Sequence, residues 1–375
     1  MKKLCFVATI PDVVYSFLKD HIRASAKKWQ VTIVTHPNNA ELLRDLDVRL
    51  IPLAIRRKAS PWHDLVALIR LTLLFRRERF DLVHSIMPKT GLLAMLAAWL
   101  AGVPVRMHTF TGQVWANKSG WKRAALKMFD KLIVTLATHI LVDSTSQRDF
   151  LVAEGVLPQG KGEVIGHGSI CGVDQHRFHA DAQLREAVRA ELGIGSAQTV
   201  ILFLGRLNRD KGMLDLAAAF AEIASRRTDV VLVLVGAEED VSFAQVQEIC
   251  GTHRERLRRV SFTPYPERYM AAADVFCLPS YREGFGQVVI EAAACGVPTV
   301  ASRIYGITDA LEDGKTGRLF PAGDVEALVS NLLALIDDAA LRQHMGESAR
   351  VRALDLFASD KITAELVKRY EQLMP

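Results

Sequence analysis

Paired cysteines are absent from this sequence. Its five cysteines (Cys5, Cys171, Cys250, Cys277 and Cys295) are scattered, odd in number, and never form a C-x-x-C pair. That argues against a disulfide framework and a zinc site, and for a reducing compartment. Long apolar runs are missing as well. The longest, GLLAMLAAWLAGVPV at 91–105, falls short of the ~20 residues that span a bilayer, and Gly102 and Pro104 break it. It reads as a buried helix followed by a strand. The opening MKKLCFVATIP carries only a short apolar stretch, which reads as a first buried strand and not as a secretory leader. No repeat of 20–50 residues and no low-complexity tract is visible.

What remains is an ordinary folded composition, 50% hydrophobic and 24% charged over 375 residues, a length that suits two domains better than one core. The net charge of +5 is unevenly placed. Residues 1–172 hold 24 Lys and Arg against 13 Asp and Glu, a net of +11, and the remainder is −6. Nucleic acid or an anionic membrane surface would each suit the basic half.

Strand-like runs alternate with amphipathic helical stretches throughout, which predicts α/β architecture with parallel sheets. The first series is KLCFVAT, QVTIVTH, RLIPLA, DLVHSI, VRMHTF and HILVDS. The second is TVILFLGR, VVLVLVG, RVSFTPY (259–265), DVFCLPS and PTVAS. A glycine-rich polar segment near residues 172–198 separates the series and marks a junction between two doubly wound domains. Ligands of such folds bind where strands end and helices begin.

Two familiar phosphate motifs are missing. GRLNRDKG, residues 205–212, has Asp210 before Lys211 and Gly212 after it, so it is not a P-loop, and ATIPDVVYS after the first strand holds no G-x-G-x-x-G. What stands there instead is a strand end that delivers Gly205, Arg206 and Lys211, a guanidinium fork and a movable point charge. A second strand end carries SYREGFGQVVIEAAACG (280–296). Here Gly284, Phe285 and Gly286 lead into a helix predicted to start near Gln287, with Glu283 and Glu291 eight residues apart. A helix start attracts an anion, and Arg206, Lys211 and this one suit a pyrophosphate. Carboxylates accept from adjacent hydroxyls, so Glu291 suits a ribose and Glu283 a sugar. Plainer readings stay open: Ser280-x-x-Glu283 fits a capping box, and Glu291 fits an exposed helix position.

EGFGQVVIEAAACGVPTVAS, together with GRLNRDKG and DGKTGRLFPAGDVEAL, resembles the family 4 glycosyltransferases, retaining enzymes of the GT-B fold. The resemblance runs from the first strand to the end. VHSIMPKTGLLAMLAAWLAGVPVRMHTFTGQVW is similar to members that build O-antigens and capsules. It implies two Rossmann-like domains facing across a cleft. These are an acceptor-binding domain at 1–172, a nucleotide-sugar-binding domain at 173–355, and a terminal helix at 356–375 packing back on the first. It implies that Arg206 and Lys211 bind the donor diphosphate, Glu291 the ribose and Glu283 the transferred sugar. The chain departs from the family in two places. ATIPDVVYS replaces a glycine-rich loop. In MHTFTG, Thr111 stands where members carry a histidine near the sugar, with His108 three residues earlier. His108 is the catalytic candidate beside Glu283, and Thr111 an acceptor contact. Lys89, at a predicted helix start, is a candidate for the acceptor's phosphate.

No cofactor is expected, and no metal. The only D-x-D, Asp45-Leu46-Asp47, reads as a plain connection, and cations with a helix dipole can stabilise a departing diphosphate. The resemblance implies as partners a nucleotide sugar, UDP- or GDP-linked and leaning towards UDP with an N-acetylated hexose, and a polyprenyl diphosphate-linked glycan acceptor. The third is the inner face of the plasma membrane, met from the cytoplasm. Arg56, Arg57 and Lys58 before one amphipathic stretch, Arg76, Arg77 and Arg79 at its end, and Trp115, Lys118, Trp121, Lys122 and Arg123 further on suit a water–lipid interface. Competing readings are a nucleotide-sugar epimerase on the same fold and a nucleic-acid-binding protein. The second lacks any helix-turn-helix, zinc or RNA-recognition signature, and no nucleic acid is expected.

Overall fold

The computed structural model describes residues 1–56 and 60–375, so Arg57 and Lys58 of the basic segment lie outside the described residues. The chain forms two α/β units, Met1–Gly172 with Ser359–Pro375, and Val173–Ala358.

The first unit runs β1 (Lys3–Val7), α1 (Pro11–Phe17), α2 (Lys19–Ala26), β2 (Gln30–Thr35), β3 (Arg49–Pro52), α3 (Pro61–Glu78), β4 (Leu82–Ile86), α4 (Pro88–Leu100), β5 (Val105–Phe110), α5 (Gly120–Leu136), β6 (His139–Val142), α6 (Thr145–Ala153) and β7 (Glu163–Val164). Its strands are parallel, in the order β3-β2-β1-β4-β5-β6-β7. Side-chain alternation along β1 sorts the helices. Cys5 and Val7 share a core with Leu71 and Phe75 of α3, Ala94 of α4 and Ile133 of α5. Leu4 and Phe6 share the opposite core with Val14 of α1, Ile22 of α2, and Leu366 and Tyr370 near the C-terminus.

The second unit runs α7 (Ala182–Glu191), β8 (Thr199–Leu204), α8 (Met213–Arg226), β9 (Val230–Val235), α9 (Phe243–Cys250), β10 (Leu257–Val260), α10 (Pro266–Ala272), β11 (Val275–Leu278), α11 (Gln287–Ala294), β12 (Thr299–Ser302), α12 (Ile307–Ala310), β13 (Gly317–Phe320), α13 (Val325–Asp337) and α14 (Ala339–Leu356). The parallel order is β10-β9-β8-β11-β12-β13. Every residue of β9, VVLVLV, is buried, as a strand covered by helices on both faces requires. The chain winds outwards in both directions from β8, so the topology reverses between β8 and β11. Crevices at the carboxyl ends of such neighbours are where doubly wound sheets bind ligands.

The last helix, α15 (Ser359–Leu373), belongs to the first unit. Its Tyr370 hydroxyl is hydrogen-bonded to His84 Nδ1 at 2.6 Å, and Thr363 Oγ1 to His21 Nδ1 at 2.9 Å. Burial without a counter-charge pushes the His84 imidazole down to about 3, so the ring is neutral.

The strand expected at 259–265 lies earlier. β10 ends at Val260, because beyond it Pro264 and Pro266 have no N–H to donate to a ladder. β7 and β13 went unread in the sequence, being two and four residues long. No helix among the described residues is long and apolar enough to cross a membrane.

Candidate functional site

Two loops meet at the carboxyl edge of β8 and β11. In the first, Asn208 Oδ1 accepts from the Lys211 backbone N–H at 2.9 Å and caps a short 3-10 turn, Arg209–Lys211. Gly212 follows with φ +69°, and a Cβ there would lie 2.0 Å from the Pro279 carbonyl oxygen. Only glycine allows this approach. Beside it the Tyr281 N–H donates to the Asp210 carbonyl at 2.9 Å, which ties the second loop to the first.

The second loop runs from Pro279 to Gly286. Phe285 is buried, edge-on to Phe357, and anchors it. Gly286, at φ +83°, is the N-cap of α11, and no side chain caps this helix. The Val289 N–H donates back to the Gly286 carbonyl at 2.8 Å and closes the first turn, so what this helix start offers an anion is chiefly its dipole. Ser280 Oγ donates to Glu283 Oε1 at 2.7 Å, but no helix begins there, so the pair is not a helix capping box.

The two cations are not free-standing. Lys211 Nζ lies 2.5 Å from Glu283 Oε1. Arg206 forms an ion pair at 2.5 Å with Glu239, which follows β9 and also accepts from Asn208 Nδ2 at 2.6 Å. Glu291 is partly buried and accepts from Gln287 Nε2 at 3.3 Å. Burial pushes its carboxyl up to about 7. The Gln287 bond and the Arg177 charge oppose the rise, and Glu267 adds to it. It is not the exposed helix residue of the plainer reading.

The structure thus gathers Gly205, Arg206, Lys211, Glu283, Gly284, Phe285, Gly286 and Glu291 on one edge of the second unit. Glu239 and Asn208 were missed in the sequence. The signal was available, since Glu239 sits at a third strand end on the same edge.

His108, Thr111 and Lys89 lie in the first unit. His108 sits on β5 with no exposed surface, its Nδ1 hydrogen-bonded to Ser85 Oγ at 2.9 Å. Its Nε2 is buried without a hydrogen-bond partner among the described residues, and burial pushes the ring down to about 3. A Cβ at Gly91 would lie 2.3 Å from the imidazole, so glycine makes room for it. Thr111 follows the end of β5, and its carbonyl accepts from Gln113 and Gln147 side chains at 2.9 Å. Lys89, in the first turn of α4, pairs with Asp64 of α3 at 2.7 Å.

The expected interfacial patch needs correction at two residues. Trp115 is fully buried, donating to Asp130 Oδ2 at 2.6 Å and stacked on Phe150. Arg123 lies over the Trp115 ring and pairs with Glu154 at 2.7 Å. Both are structural because a buried indole N–H needs an acceptor and a planar cation covers its ring. Trp121 is 75% exposed, with Lys122 over its ring.

Comparison with known proteins agrees with this architecture. The family description "Glycosyl transferases group 1" matches residues 185–352, and "Glycosyl transferase 4-like domain" matches 22–168. A capsular polysaccharide biosynthesis glycosyltransferase of Staphylococcus aureus is 29% identical over 321 residues, 85% of this chain and 84% of that one. A D-inositol 3-phosphate glycosyltransferase of Arthrobacter is 32% identical over 310 residues, 78% of this chain and 70% of that one. The Escherichia coli UDP-Gal:alpha-D-GlcNAc-diphosphoundecaprenol alpha-1,3-galactosyltransferase is 27% identical over 326 residues, 84% and 80%. In fold, sucrose-phosphate synthase of Thermosynechococcus elongatus superposes with a TM-score of 0.81 at 23% identity, covering 100% of this chain and 99% of its own. The chain belongs to the group 1, 4-like glycosyltransferases of the GT-B fold and is an enzyme of polysaccharide or glycan biosynthesis.

Proposed function

We propose that the enzyme takes a sugar from a nucleotide sugar held at the β8–β11 edge and passes it, with retained configuration, to a lipid-linked glycan acceptor. The observation that carries this reading is the meeting of two cations, two carboxylates and an uncapped helix start on one strand edge. Arg206 and Lys211 exchange Glu239 and Glu283 for oxygens of the donor diphosphate, and the α11 start adds its dipole. Glu291 accepts from the ribose diol. Glu283, released from Lys211, accepts from hydroxyls of the transferred sugar.

As the bond between the anomeric carbon and the phosphate oxygen breaks, negative charge collects on the leaving diphosphate. The same cations and helix dipole stabilise it there, so the reaction runs without a metal. Lys89 and Thr111 bind the acceptor on the first unit. His108, expected as a catalytic residue, has no exposed surface with which to touch a substrate, so in its place it acts as a positioning residue, its ring hydrogen-bonded to Ser85 on β4. The donor is UDP-linked, carrying a hexose or N-acetylated hexose, and the acceptor is polyprenyl diphosphate-linked. The name of the E. coli relative supports both choices. The enzyme then works from the cytoplasm at the inner face of the plasma membrane.

The test is a thermal-shift panel of nucleotide sugars followed by transfer assays with a lipid-linked acceptor. A true donor at a hundred times its dissociation constant stabilises the fold by ~2.7 kcal/mol. Isomerisation of the donor without acceptor would establish an epimerase in its place.

A further inference from the structure

Most of the exposed large apolar side chains among the described residues lie on three helices, α3, α4 and α5, that cover one face of the first sheet. On α3 the inward face is Ala67, Leu71 and Phe75, all buried. The opposite face carries Trp62, Leu65, Ile69 and Leu73, at i, i+3, i+7 and i+11, exposed by 47–71%. A helix apolar on two opposite faces has a second surface to cover. Arg70, Arg76 and Arg77 flank that outer stripe and are exposed. α5 repeats the pattern with Trp121, Met128 and Leu132 outward, beside exposed Lys122 and Lys131. Trp99, at the end of α4, is 54% exposed.

Charge selects the occupant. The three carboxylates of these helices are all withdrawn. Asp64 is paired with Lys89, Glu78 is buried under Arg49, and Asp130 is buried beneath Trp115. Among the described residues the charges that these helices leave exposed on the outer face are therefore cations, set among apolar groups and a few neutral polar ones such as Thr135, while the neighbouring Glu154 is held by Arg123 and Lys127. A second copy docked on it would set arginines and lysines against their own kind. An anionic bilayer meets both features, taking up the indole and aliphatic groups while its phosphates meet the cations.

We propose that the outer face of α3–α5, led by the Trp62–Leu65–Ile69–Leu73 stripe, is the surface on which the enzyme lies in an anionic membrane. The Asp64–Lys89 pair ties the start of α3 to the start of α4. Trp62 lies in the same first turn of α3 as Asp64, which holds the residue assigned to the acceptor's phosphate. The proposal deepens the lipid-linked acceptor reading and rests on it for its purpose, but not for its geometry.

The test is flotation of the whole protein with phosphatidylglycerol-containing vesicles and with pure phosphatidylcholine vesicles. Wild type floats with the anionic vesicles and more weakly with the neutral ones. Ile69→Ser with Leu73→Ser weakens partitioning by roughly tenfold or more, and Arg70→Glu with Arg77→Glu removes the preference for anionic lipid. Both variants replace exposed side chains and keep the melting temperature. Anionic binding by wild type that survives both variants overturns the surface, as does an absence of wild-type binding. A wild-type dimer that either variant dissociates assigns the face to a second copy and overturns the proposal as well. Nucleoside diphosphate affinity, measured on the same proteins, stays unchanged in the variants. If wild type itself binds no nucleoside diphosphate, the donor-site reading fails while the vesicle result stands by itself.

Discussion

Replacing Glu283 by glutamine keeps the side chain's shape and removes its charge from beside Lys211. The two groups are 2.5 Å apart, with side chains 13% and 21% exposed, and Ser280 Oγ donates to the same carboxylate oxygen. Unit charges 4 Å apart attract by ~4 kcal/mol at an effective dielectric constant of about 20. The desolvation of two mostly covered groups and the ordering of both side chains offset most of this and leave ~1 kcal/mol net. An incoming diphosphate has to take Lys211 from Glu283. Removing the competitor therefore tightens nucleoside diphosphate binding by at most ~1 kcal/mol, about fivefold. Transfer moves the other way. A carboxylate holding sugar hydroxyls contributes ~1.5–3 kcal/mol per charge-assisted bond, so turnover falls roughly ten- to a hundredfold. The opposite signs are the diagnostic. Calorimetry of the nucleoside diphosphate and transfer rates on folded Glu283→Gln protein measure them. Diphosphate affinity, transfer and melting temperature all falling together would refute the assignment, since that is what a turn-tying carboxylate does. Glu291→Gln, by contrast, weakens nucleoside diphosphate and donor equally, because both contain ribose.

Two further predictions concern pH. Burial holds the Glu291 carboxyl up at about 7, and only its ionised form accepts from both ribose hydroxyls. Nucleoside diphosphate affinity therefore rises with pH through about 7, by up to roughly tenfold per unit below it. Titration calorimetry of wild type against Glu291→Gln isolates this from the phosphate's own ionisation, and parallel profiles would exclude it. His84 is held neutral, with its imidazole pushed down to about 3, whereas in the unfolded chain it titrates near ~6.5. As pH falls below ~6.5 the unfolded state takes the proton first, and stability is lost at ~1.4 kcal/mol per unit until about 3. Denaturant unfolding at pH about 7 and about 5 should cost wild type ~2 kcal/mol more than His84→Gln. Equal losses would show that the ring is not buried neutral.

Much of the architecture was legible because both sheets are parallel and covered on both faces. Such strands read as continuous apolar runs, as in TVILFLG and VVLVLVG, and their glycine-edged ends point to the ligand edge. β7 and β13 escaped because two or four residues carry too little pattern to separate strand from loop. The motif residues were legible as types, since a guanidinium, an ammonium and two carboxylates near strand ends imply an anion and hydroxyls. Their partners were not. Lys211 and Glu283 stand 72 residues apart and Arg206 and Glu239 33 apart, and they meet only because the strands they follow lie close in the sheet. The tryptophans show the same division. Trp115 and Trp121 occur six residues apart in one basic, aromatic segment, and nothing local distinguishes them. Asp130 and Phe150 arrive from elsewhere to bury the first, while the second stays 75% exposed among the described residues. The sequence by itself determined the parallel α/β character, the strand ends and the chemistry those ends carry. The tertiary structure alone decided which charges neutralise one another, how far Glu291 is desolvated and which aromatic faces remain open. Burial and ion pairing depend on neighbours brought in by chain topology, and local spacing contains no record of them.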